Sequence, residues 1–131
     1  MENITEKQAK KIIKKGVKRI SDLDLKKVIE KQGFIENIIE ENKILKDTIK
    51  FVKLFISLVK DYVRGDYKVI PFWSIAAITF SLLYLVSPID FVPDFIPFVG
   101  FVDDALILST CYKMIKKDLK QYEKWRNEKN L

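Results

Sequence analysis

The chain contains no histidine, a single cysteine and, from Val69 to Tyr112, no lysine or arginine. Each absence excludes something. Without histidine there is no Ser-His or Cys-His nucleophile pair, no imidazole general base and no imidazole ligand for zinc. One thiol, Cys111, rules out an intramolecular disulfide framework and the usual Cys-rich zinc sites. No Gly-rich phosphate loop, HExxH helix or nucleophile elbow is present. All four prolines fall between positions 71 and 97, so the rest of the chain lacks a strong helix breaker. The opening Met1-Glu-Asn-Ile-Thr-Glu6 lacks the basic-then-apolar order of a secretory signal, which favours retention on the cytoplasmic side.

What is present is unevenly distributed. At 131 residues one domain with an ordinary core is the default. Residues 1–68 carry 17 basic and 11 acidic groups, residues 69–112 only four aspartates, and residues 113–131 seven basic and three acidic groups. An apolar block with an acidic Pro/Gly turn, flanked by basic segments, favours a membrane-seeking helical hairpin over an enzyme pocket.

Thr5-Glu-Lys-Gln8 has the form of a capping box. Ile12, Ile13, Val17 and Ile20 follow at helical spacing, and lysines from Lys7 to Lys18 with Arg19 make the helix basic and amphipathic. Its basic face is either simply solvated or attracted to anionic lipid headgroups, and nucleic acid is the least favoured partner, because no aromatics are interleaved. Gly16 weakens this helix by about 1 kcal/mol against alanine and marks a place for it to break. Ser21 or Asp22 can cap a short second helix, with Gly33 as its stop. A long amphipathic pattern then runs from Phe34 to Arg64 and ends at Gly65. Its apolar stripe is wider than a two-position seam, which favours packing within the chain over a coiled coil, though a protein partner or a second copy could use it.

Val69 to Ile89 are 21 consecutive uncharged residues, about the length that crosses a hydrocarbon core of roughly 30 Å. Trp73 and Tyr84 would suit its two interfaces. The competing reading is a buried core helix of a soluble bundle. The last helix is expected from Asp103 to Trp125, with too few apolar residues for a second crossing. Basic flanks then place both termini on the cytoplasmic side.

Between these helices lies Ser87-Pro-Ile-Asp-Phe-Val-Pro-Asp-Phe-Ile-Pro97, followed by Gly100 and Asp103-Asp104. Ser87, Pro88 and Asp90 read as a helix cap, Pro93 and Pro97 force extended backbone before them, and Gly100 allows a positive φ. Asp103 and Asp104 fall on the first turn of the last helix, where negative charge is favoured. The functional alternative is a divalent-metal or proton site made by Asp90, Asp94, Asp103 and Asp104. The carboxylates have structural explanations, so catalytic residues and cofactors are expected to be absent.

The same residues, with Gly65-Asp-Tyr-Lys-Val-Ile-Pro-Phe-Trp-Ser74 and Leu83-Tyr-Leu-Val86 before them, resemble the YkvA-like family, defined by a domain of unknown function (number 1232). The likeness covers about Leu58 to Trp125. It implies a small, mostly bacterial helical protein, commonly membrane-associated and without an agreed activity. The expected fold is all-α: a small helical bundle with an apolar hairpin of helices near 71–87 and 103–125. Residues 1–57 form a basic amphipathic region and 58–131 the hairpin domain, as one structural unit. The expected role is a non-enzymatic, membrane-associated adaptor or envelope protein, against the alternatives of a soluble interaction module and a metal-dependent hydrolase.

Overall fold

The computed structural model describes residues 5–86 and 101–129, with side chains in the last helix described from Asp104 onward. Within these residues the fold is all-α, as the proline distribution requires. Helix α1 spans Glu6–Val17, α2 Asp22–Glu30, α3 Gln32–Glu41, α4 Ile49–Arg64, α5 Phe72–Val86 and α6 Phe101–Lys129, with a short 3-10 turn at Lys46–Thr48.

The helix starts are chemically specified. Thr5 Oγ1 accepts from the Gln8 N–H at 3.2 Å while Gln8 Oε1 accepts from the Thr5 N–H at 2.8 Å, a complete capping box. At α2 the Ser21 N–H donates to the Asp24 carboxylate at 2.9 Å. Gly65 closes α4 at φ 85°, with Gly65 N–H on the Tyr62 carbonyl (3.1 Å) and Asp66 N–H on the Asp61 carbonyl (3.0 Å).

Three expectations need correction. The pattern from Phe34 to Arg64 is not one helix, because Asn42 is extended (ψ 122°) and its side-chain oxygen accepts from the N–H groups of Ile44 (2.8 Å) and Leu45 (3.1 Å). That local bond competes with the helix, and Leu45 still reaches the core from the loop, so the apolar pattern continues through the break. Gly33 does not stop α2: the helix ends before Lys31, and Gly33 lies in the first turn of α3. Gly16 does not break α1 either. It sits inside the helix, buried, against Phe80 of α5.

Helix α5 is the centre of the molecule. It packs against α1, α2, α3, α4 and α6, and every residue from Ser74 to Leu85 is buried. Its polar side chains bond inward to their own helix, Thr79 to the Ile75 carbonyl and Ser81 to the Ala77 carbonyl, each at 2.8 Å. Of the apolar stretch that matched a bilayer in length, Ser74 to Leu85 are therefore enclosed by protein, while Val69, Phe72 and Trp73 are exposed. The 15 described residues of α5 span about 22 Å, against a roughly 30 Å hydrocarbon core. No helix among the described residues is long and apolar enough to cross a membrane. Tyr84 is wholly buried, so it is no interfacial anchor, whereas Trp73 at the start of α5 is 38% exposed.

Candidate functional site

Of the nine residues singled out in the acidic turn, Ser87, Pro88, Asp90, Pro93, Asp94, Pro97 and Gly100 lie outside the described residues, as does the side chain of Asp103. Asp103 and Asp104 both fall in the first turn of α6, which begins at Phe101. Asp104 is buried, only 3% exposed. Among the described residues no group of three or more acidic or thiol side chains converges as a metal site.

Helices α5 and α6 form the hairpin that carries this turn, and their seam is chemically mixed. Ser74 donates to the Asp118 carboxylate at 2.6 Å, tying the start of α5 to the middle of α6. Cys111 is fully buried there. Burial pushes its thiol up to about 12, with the Ser81 hydroxyl acting weakly in the opposite direction. Such a thiol is protonated and inert at neutral pH.

A second polar cluster was not legible in the sequence. Tyr122 of α6 donates to the Asp61 carboxylate at 2.5 Å and lies 2.6 Å from the Ser57 hydroxyl, both on α4. The phenol has one proton and gives it to the carboxylate, so Ser57 donates to the phenol. Burial first, then this bond to Asp61, raises the Tyr122 hydroxyl above the ordinary tyrosine value. Tyr67 also titrates high, through burial and the negative charge of Asp118. The rings of Tyr67, Tyr122 and Trp125 pack around this cluster at 5.0–5.9 Å between centroids, Tyr122 stacked on Trp125 and Tyr67 edge-on to Tyr122. Asp61 and Tyr122 are 61 positions apart, with no motif to pair them; the one signal in the sequence is the helical spacing of Tyr122 from Ile115 and Leu119. The arrangement locks α4 to α6.

An all-α bundle built around the apolar helix α5 is the class that the described residues define. Residues 74–110 match the family described as "Protein of unknown function (DUF1232)". The chain is also 39% identical, over 86 residues, to the Bacillus subtilis (strain 168) protein named "Uncharacterized membrane protein YkvA". That match takes in 66% of this chain and 81% of the relative. The chain belongs to this family. No solved structure matches it.

Proposed function

We propose that this is a small membrane-associated protein without catalytic activity, an adaptor or envelope-associated protein that works by binding lipids or other proteins. The observation that carries the reading is the likeness, over 86 residues, to a relative named a membrane protein. The packing fits surface attachment, because α5 is buried in the bundle from Ser74 to Leu85 and no described helix is both long and apolar enough to cross a bilayer. The absence of histidine supports a non-catalytic role, as does the inert setting of Cys111. On this reading the whole chain lies on one face of the membrane, the cytoplasmic one, where its basic segments meet anionic lipid.

Cell fractionation followed by carbonate extraction tests attachment. The protein is expected in the membrane fraction and released by carbonate. Recovery in the soluble fraction before extraction would refute membrane association. Titration calorimetry with Mg²⁺, Mn²⁺ and Ca²⁺ tests the non-catalytic part. Tight binding that is lost in Asp94→Asn would favour a metal-dependent hydrolase instead.

A further inference from the structure

Among the described residues, the α4–α5 turn carries the densest group of exposed large apolar side chains. Val63, Val69, Phe72 and Trp73 fall within eleven residues of chain and are 37%, 78%, 40% and 38% exposed. Phe72 continues inward to the Tyr62 ring at 6.5 Å. These side chains gain nothing from water, and the turn that bears them is pinned by the left-handed Gly65 and by buried Tyr67 and Ile70.

The same end is ringed by cations lying over aromatic faces. Lys68 sits 4.1 Å from the Tyr62 ring, Lys129 4.8 Å from Trp125, and Arg126 5.9 Å from Tyr122. Two hollows flank the turn. One, of about 210 Å³, is bordered by Lys26 and Lys68 with Asp22; the other, of about 330 Å³, by Arg64, Arg126 and Lys129 with Asp61 and Asp66. Five cations thus face three carboxylates, one of which is already engaged by Tyr122.

We infer that this end of the bundle is the surface that docks onto a bilayer containing anionic lipid. Val69, Phe72 and Trp73 enter the headgroup and acyl boundary, and the surrounding lysines and arginines meet the phosphates. The inference rests on the membrane reading above and adds where contact is made. Its chemical basis is the pairing of an apolar tip with an aromatic and cationic collar, the composition that settles at a membrane interface. Helix α1 is the other basic element, but its apolar stripe of Ala9, Ile12 and Ile13 is wholly buried against the bundle. It offers charge alone. The α4–α5 end offers both terms.

The test is co-sedimentation of the full chain with vesicles of phosphatidylcholine mixed with phosphatidylglycerol, and with vesicles of phosphatidylcholine alone. Wild type should bind the mixed vesicles more tightly. Val69→Ser with Trp73→Ser should weaken that binding by about tenfold to a hundredfold, the loss of two inserted apolar side chains. Phe34→Ser with Ile44→Ser, which alters exposed apolar residues elsewhere, should leave it unchanged. Val69→Ser alone serves as the variant least able to disturb folding, since its side chain is the most exposed of the set. In a Trp125→Phe background, brominated lipid should quench the Trp73 indole.

Equal binding by wild type and the Val69/Trp73 variant, or an unquenched Trp73, would overturn the docking surface and leave the membrane reading intact. No binding by wild type to either vesicle would bring down both. If the variant lost self-association while its vesicle binding persisted, the face would serve a second copy of the chain and the inference would be wrong.

Discussion

Replacing Gly16 by alanine sets two effects against each other in one methyl group. In an exposed helix the change would stabilise by about 1 kcal/mol, because alanine is the better helix former. Here the added Cβ would lie 2.2 Å from Cδ1 and Cε1 of Phe80 and 2.6 Å from Cγ. Ordinary contact begins near 3.4 Å, so the ring must retreat by roughly 1 Å or α1 must lift from α5. Phe80 has no open side: it is fully buried, with Tyr84 at 5.9 Å between ring centroids. Overpacking of this kind costs about 1–3 kcal/mol, which exceeds the gain in propensity. The expected outcome is a net loss of up to about 2 kcal/mol and a fall in Tm of up to roughly 8 °C, read by urea and thermal denaturation. Gly33→Ala is the matched control, since nothing lies within 4 Å of its added Cβ, and it should gain about 0.5 kcal/mol. Trimming the ring with Phe80→Leu in the Gly16→Ala background should recover part of the loss, a coupling that a double-mutant cycle measures. If Gly16→Ala were stabilised as much as Gly33→Ala, the close approach of α1 to α5 would be refuted.

Three further outcomes can be measured. Tyr122→Phe should lower stability by about 1–2 kcal/mol through its lost bonds to Asp61 and Ser57. Because the folded phenol ionises above its unfolded value of about 10, the unfolded chain loses that proton first as pH rises. Its contribution is therefore whole below pH of about 10 and declines above it, and the alkaline part of a stability–pH curve should be shallower in Tyr122→Phe. Cys111 should resist alkylation in the native protein and react at the ordinary rate in denaturant; rapid native labelling would contradict its burial. Replacing Asp103 and Asp104 by alanine should lower stability by about 0.5–2 kcal/mol through lost interactions at the start of α6, and unchanged stability in chemical denaturation would count against the capping account.

The sequence was most informative where local chemistry decides the outcome. The Thr5 capping box and the Gly65 stop express themselves within a few residues, and both are found in the structure. Periodicity was less informative across Asn42, because Leu45 stays buried in a loop and the apolar rhythm does not register the interruption. Composition could not distinguish a bilayer from five packed helices as the surroundings of α5, since both ask for the same uncharged surface. Gly16 was legible only as a weak helix former, because its neighbour Phe80 is 64 positions away. For the same reason Ser57, Asp61 and Tyr122 carried no joint signal. Of the acidic turn, Asp104 alone can be placed with its side chain, and its burial is more than a position on an exposed first turn implied.

The central position of α5 also governs the order of events during synthesis. Helix α1 is complete at Val17, yet the helices that cover its apolar stripe, α5 and α6, end at Val86 and Lys129. At about 5–20 residues per second, roughly 3–14 s separate the emergence of α1 from that of α5. For that interval the nascent chain holds a capped basic helix whose isoleucines have no partner. Each of the other described helices thus packs against one that the ribosome delivers only after four of them have emerged.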